Sequence, residues 1–212
     1  MLANTKAASA PKQRMSGEER RAQIVRTAID LFSAHGFKGT TTRELSLAVG
    51  VSEPVLYQHF QNKKELYTGI VEHIIQEDTN QFQPRLESLL NEQDERAFLQ
   101  GLGEFILGWY LDDPRIIRLL LFSALEGHEL AEIWHEQVMS AFFQPINIKI
   151  ASLVESGRFR QLDPTVVTRA FMGMVGQYAL LSVVFKMPLF PMTREQTVAR
   201  FVDIFIDGAR RP

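Results

Sequence analysis

Tyr57, His59, Lys63 and Lys64 put a phenol, an imidazole and two ammonium groups close together in sequence. All four side chains can donate to phosphate oxygens. They close the segment 41–66, TTRELSLAVGVSEPVLYQHFQNKKEL, which reads as two short helices around a tight turn. Thr41 and Glu44 form a reciprocal capping box for the first helix. Gly50 supplies the left-handed residue that lets the chain reverse between Val49 and Val51. Ser52 is expected to cap the second helix through its hydroxyl, with Pro54 in the first turn, where a missing amide hydrogen costs least. Spacing then sorts the faces. Leu45, Ala48, Val49, Val51, Leu56 and Phe60 are expected to pack inward, leaving Glu53, Val55, Tyr57, Gln58 and His59 outward. Such a pair enters the major groove with the N-terminal residues of its second helix against base edges. The competing reading is an ordinary helical hairpin with a solvated outer face.

The flanks supply the elements that would position this pair. Upstream, Ser16 and Glu19 make a second capping box, Ile24, Ala28, Leu31 and Phe32 recur at helical spacing, and Gly36 is the stop. Downstream, the cap pattern Asn62 to Glu65 opens a helix through Leu66, Ile70, Ile74 and Ile75, a rod over 62–80 leading out of the unit.

Taken together, Thr42-Arg43, Gly50-Val51-Ser52, Leu56-Tyr57-Gln58-His59-Phe60 and Asn62-Lys63-Lys64-Glu65-Leu66 resemble the TetR family of one-component transcriptional repressors, closely over residues 16–75. The resemblance implies phosphate contacts from Thr42, Tyr57, His59 and Lys63, and base-edge contacts from Arg43, Glu53, Pro54 and Val55. Glu53 and Val55 depart from the usual pattern. A carboxylate can accept from a cytosine amino group and an apolar tip can meet a thymine methyl, but Glu53 would also repel phosphates.

Charge is distributed accordingly. The net charge of -2 conceals a split: residues 1–66 carry ten Lys and Arg against six acids, while the remainder carries 13 against 19. A basic head on an acidic body suits phosphate neutralisation at one end only. The absence of cysteine excludes disulfides and thiol chemistry and is compatible with a cytoplasmic protein. Residues 1–15 lack a signal-peptide core and read as a flexible basic arm, with Lys6, Lys12 and Arg14 within reach of DNA, or as an inert tail.

Beyond residue 80 the periodicity is helical throughout, so the fold class expected is all-α: a three-helix helix-turn-helix domain over 16–62, then a helical ligand-binding and dimerisation domain over 63–212. Helices are expected over 94–111, 114–127, 128–156, 164–186 and 193–208, with a kink near Pro145. Residues 170–185 are apolar nearly all round yet too short for a bilayer, so a buried helix and no membrane are expected. Gly173, Gly176 and Ala179 on it are candidates to meet a second subunit. The resemblance implies a homodimer through 128–156 and 164–186, with recognition helices about 34 to 36 Å apart on a palindromic, double-stranded operator.

Aromatic and methionine side chains crowd the body. Phe105, Trp109, Tyr110, Phe122, Met139, Phe142, Met174, Gln177 and Tyr178 suit a pocket for a small, largely apolar effector, with plain core packing as the alternative for each. Glu104 and Glu126 could meet a cationic ligand or sit on a solvated face. His128, Glu132 and His135 share one side of a helix, as metal ligands or as part of an exposed charged face. There is no HExxH, no phosphate-cradling glycine loop, no GxSxG and no cysteine nucleophile, so neither cofactor nor enzymatic activity is expected. The function expected is a ligand-released repressor. The alternatives are a constitutive DNA-binding dimer without an effector, or a helical metal-binding or enzymatic bundle.

Overall fold

A computed structural model describes residues 15–127, 130–188 and 190–209. Lys6, Lys12, Arg14 and His128, singled out above, lie outside the described residues. The regular elements described are helices: α1 (Gly17–His35), α2 (Thr42–Val49), α3 (Glu53–His59), α4 (Lys63–Leu90), α5 (Glu95–Asp112), α6 (Pro114–Glu126), α7 (Leu130–Trp134), a π turn (His135–Met139), α8 (Ser140–Glu155), α9 (Pro164–Val184) and α10 (Arg194–Ala209).

Local chemistry sets most of the boundaries. Ser16–Glu19 and Thr41–Glu44 both form complete capping boxes, each satisfying orphan amides at a helix start. Asn62, Asp94, Asp113 and Asp163 cap α4, α5, α6 and α9 through their side chains. Each such cap is worth about 1 kcal/mol. Ser52 departs from expectation: it occupies the cap position of α3, but its hydroxyl takes no capping bond, and its carbonyl instead accepts from Val55 and Leu56. With Glu53 and Pro54 opening the helix, α3 starts on proline geometry rather than on a hydroxyl cap.

Two hydrophobic clusters form, and they do not divide at residues 62 and 63. One joins Ile24, Phe32, Leu45, Leu56 and Phe60 of the head to Tyr67 and Ile70 of α4, Leu119 of α6 and Trp134 of α7. The other packs α5 against α8, α9 and α10 around Leu102, Ile150, Phe171, Val175 and Val202. The head thus rests on the front of α4 and on α6, which belong to the body in sequence. Tyr67 is the keystone. It is fully buried, its ring meets Phe32 and Phe37 edge-on at 5.0 and 5.1 Å, and its hydroxyl donates to the Leu119 carbonyl. Burial pushes its phenol pKa well up, so it stays a neutral donor.

Two expectations for the body are corrected. The irregularity expected at Pro145 lies earlier, in the π turn, where the Ser140 amide reaches back five residues to the His135 carbonyl. Helix α8 then runs through Pro145. Helix α4 continues past 80 to Leu90 and includes Pro84. Helix α9 is 21 residues long, long and apolar enough to cross a membrane by length and composition. Its Val167, Phe171, Val175, Ala179 and Val183 are nevertheless buried within the helical body.

Candidate nucleic-acid interface and internal cavity

The turn between α2 and α3 takes the predicted form. Gly50 adopts φ 78° and ψ 34°, and the amide of Val51 bonds back to the Ser46 carbonyl. Leu45, Val49, Leu56 and Phe60 turn inward and are buried. Ala48 does not: it is exposed, and its place in the seam is taken by Ser46, buried with its hydroxyl on the Arg43 carbonyl. A small side chain at 48 gave no size signal by which to tell the two faces apart.

On the outer side, Arg43, Pro54, Tyr57 and Gln58 are exposed, and Thr42, Glu53, Val55 and His59 are partly so. The Thr42 hydroxyl donates to Glu53 at 3.0 Å, fixing that carboxylate at the start of α3. There the helix dipole favours its negative charge. The far end of α3 is held by Arg21, which lies 4.0 Å over the Phe60 ring and donates to the His59 carbonyl at 2.8 Å. Nothing in the spacing marked Arg21 for this role, since the contact joins residues 38 apart.

Lys63 is not on this outer face. Its ammonium turns in toward the loop after α1, donates to the Phe37 carbonyl and sits 4.1 Å over the Phe37 ring. Partial burial lowers its pKa, opposed by the field of Glu126. Glu126 itself, offered above as a ligand contact, accepts from the Phe37 amide at 3.0 Å and reaches that of Lys38. It joins the end of α6 to the head. Gly36 makes this junction possible: at φ 74° only glycine is unstrained, and a Cβ there would lie 2.5 Å from Glu126 Oε1 and 2.9 Å from the Phe122 ring. Arg118 adds a bond to the Ser33 carbonyl at 2.9 Å.

In the body, α4, α5, α7, the π turn, α8 and α9 line a cavity of about 810 Å³ that is half open to solvent. Of the predicted pocket residues, Phe105, Trp109, Tyr110, Met139 and Phe142 line it. The other four are elsewhere. Phe122 packs beside Gly36 at the head junction, and Met174 against the α5–α9–α10 core. Tyr178 stacks on Phe190 at 4.8 Å and accepts from its amide. Gln177 is exposed. A hundred-degree step per residue separates the faces of α9, and sequence alone did not say which face met α5. Glu104 also lies outside the cavity and accepts from Gln100.

The wall includes residues not anticipated as contacts: Phe82 and Leu86 of α4, Asn147 of α8 and Arg169 of α9. Two ring pairs stand in it, Trp109 on Trp134 at 5.6 Å and Phe105 on Phe142 at 5.2 Å. Trp134 is 6% exposed, and its indole N–H finds no acceptor among the described protein groups. Leaving a buried donor unpaired costs about 1–3 kcal/mol. Burial also raises the Tyr110 pKa, keeping that phenol neutral. Among the described residues no three His, Asp or Glu side chains gather to hold a metal ion.

The sequence pattern of bacterial regulatory proteins of the tetR family matches residues 24–70, and that of the C-terminal domain of AefR-like transcriptional repressors matches residues 98–208. The chain is 32% identical over 140 residues to IcaR of Staphylococcus epidermidis, a negative transcriptional regulator of a biofilm operon, covering 60% of this chain and 71% of that one. It is 36% identical over 81 residues to the class C tetracycline repressor of Escherichia coli, covering 38% of this chain but only 35% of that repressor. In fold it is similar to AibR, whose structure was solved with isovaleryl coenzyme A and operator DNA, at a TM-score of 0.69 and 21% identity, covering 87% of this chain and 97% of that one.

Proposed function

Because the chain belongs to the tetR family of DNA-binding transcriptional regulators, we propose that it is a cytoplasmic, homodimeric repressor that holds a palindromic operator and releases it when a small, largely apolar molecule fills the body cavity. The observation that carries this reading is the pairing of a closed, outward-facing α2–α3 unit with a ring-lined void of about 810 Å³, a volume in the range of ligand pockets. AibR binds an acyl thioester and operator DNA; a comparable division of labour is proposed here.

In this reading Arg43, Glu53, Pro54 and Val55 meet base edges, and Thr42, Tyr57 and His59 hold phosphates. Lys63 joins the phosphate contacts only by leaving the Phe37 carbonyl, so its role depends on the conformation of the head junction. Dimerisation uses the outer stripes of α8 and α9. Ile148 and Val166 there are 68% and 64% exposed. The small residues of α9 are not part of this stripe: Gly173 lines the cavity, and Gly176 and Ala179 face Tyr110 and the core of their own subunit. Coupling between cavity and head passes through Trp134, which lines the cavity and belongs to the head's hydrophobic cluster. A coupling of roughly 1 to 3 kcal/mol would suffice for a switch.

The test is selection of genomic fragments by the purified chain, followed by footprinting. Two protected half-sites about one helical turn apart are expected, with the footprint lost in the Arg43→Ala, Tyr57→Ala double variant. Fragments without a common palindrome, or an unchanged footprint in the double variant, would reject the assignment.

A further inference from the structure

We propose that the cavity takes a planar aromatic anion, a ring system carrying a carboxylate or an equivalent acid. This rests on the reading of the cavity as a ligand site and specifies its chemistry. Two features of the wall lead to it.

The first is charge. Among the described residues, the lining holds the guanidinium of Arg169 and the imidazole of His135, both exposed, together with Asn147 and Thr165, and no aspartate or glutamate. This is a departure in a body with an excess of acid. Arg169 lies 5.3 Å over the Phe143 ring, and no carboxylate pairs with it among the described residues. A guanidinium at an apolar wall without an acidic partner is a fork-shaped donor set open to a planar anion. A cation in the cavity would bring its charge beside that of Arg169, and no described carboxylate of the wall compensates it.

The second is shape. The ring pairs Trp109–Trp134 and Phe105–Phe142 are each near parallel, at 29° and 22°, with Phe82 edge-on to Phe105 at 5.0 Å. Flat faces so arranged favour flat ligands by offset stacking, where a flexible chain would lose more rotational freedom on binding. Trp134, which lines the cavity, also has no acceptor for its indole N–H among the described protein groups.

The chain has two tryptophans, Trp109 and Trp134, and both line the cavity, so intrinsic emission reports its occupancy directly. The experiment is calorimetric titration of the full chain with 2-naphthoate, 2-naphthamide, 2-naphthylmethylammonium and decanoate, with tryptophan emission followed in parallel. Naphthoate is expected to bind tightest, by about tenfold over the ammonium compound, and to perturb the emission. Arg169→Gln, at an exposed position that should leave folding intact, is expected to weaken naphthoate about tenfold and to leave naphthamide unchanged.

The inference is overturned if the ammonium compound binds as well as naphthoate, if decanoate binds better, if Arg169→Gln weakens carboxylate and amide alike, or if none of the probes binds. Operator affinity, measured separately on the same samples, keeps the two readings apart. Naphthoate bound as predicted with no change in DNA binding would uphold the ligand class and remove the switch. DNA release by a compound of another class would uphold the switch and remove the ligand class.

Discussion

The aromatic side chains of the head and those that line the body's cavity are packed in opposite ways, although the body also buries Phe98, Phe159 and Phe171 completely. In the head, Phe32, Phe60 and Tyr67 are all but inaccessible, and the interior is closed around them. In the body, Phe105, Trp109 and Phe142 stand in the wall of a void of about 810 Å³. That space is a cleft half open to solvent and of ligand-pocket size. The lesson is that one side-chain chemistry serves two ends. Rings packed on all sides hold a DNA-reading surface in fixed geometry, and rings left with one free face form a receptacle. The two regions share Trp134, which closes the head's cluster and opens on the void.

The largest expected effect tests this contrast by truncation. Phe32→Ala should cost about 3–5 kcal/mol of stability, as the loss of a fully packed ring does. Phe142→Ala should cost markedly less, because its ring already faces empty space. Chemical denaturation of both variants checks the difference, and equal losses would mean that the cavity is not open in solution.

Next comes DNA affinity without a change in folding. Arg43→Ala and Tyr57→Ala should each weaken operator binding by roughly 1 to 3 kcal/mol while leaving the thermal midpoint in place. Loss of a phosphate contact at Tyr57 should lower affinity on all sequences alike, whereas loss of Arg43 should relax sequence preference. Anisotropy titrations on operator and scrambled duplexes separate the two.

The junction between the regions should show an intermediate effect. Glu126→Gln keeps the side chain's size but weakens the bonds to the Phe37 and Lys38 amides. A loss of about 1 kcal/mol in stability is expected. Lys63, freed from the opposing carboxylate, should then become more accessible to amine-reactive labelling. Unchanged labelling would separate Lys63 from the junction.

How much of this was legible in the sequence follows the range of the interactions. The boxes at Ser16–Glu19 and Thr41–Glu44 and the Gly50 turn are contacts within two or three residues or single backbone conformations, and the sequence shows each of them. What failed joins distant residues. Phe122 and Met174 have the composition of pocket residues, yet packing turned one to the head junction and the other to the core. Arg169 escaped notice because an arginine near a helix's solvent side carries no mark of a cavity beside it. Lys63 was assigned outward by resemblance, while Phe37 and Glu126, 26 positions before it and 63 after, draw it in. Ser52 shows a local limit as well: a good capping residue type in the right place does not guarantee the bond.

The smallest expected effect is pH dependence at the head. The hydrogen bonds from the Thr41 amide and hydroxyl hold the Glu44 carboxyl below its usual value of 4.5. The folded head therefore binds fewer protons than the unfolded chain just below that value. The box contributes in full above about pH 4.5 and its contribution is lost as pH falls through the lower, folded value. Thr41→Ala should flatten this part of the stability profile, and a slope unchanged by the substitution would place its origin in other carboxylates.

In the proposed repressor, occupancy of the cavity and grip on DNA exclude each other. Its most direct test is the anisotropy of a labelled, genome-selected operator titrated with the full chain, with the cavity empty and then saturated by a bound small molecule. Tight, salt-dependent binding of two subunits per site is expected when the cavity is empty, and an affinity weaker by about tenfold or more when it is filled. Identical curves in the two states, with tryptophan emission confirming that the cavity is occupied, would contradict it.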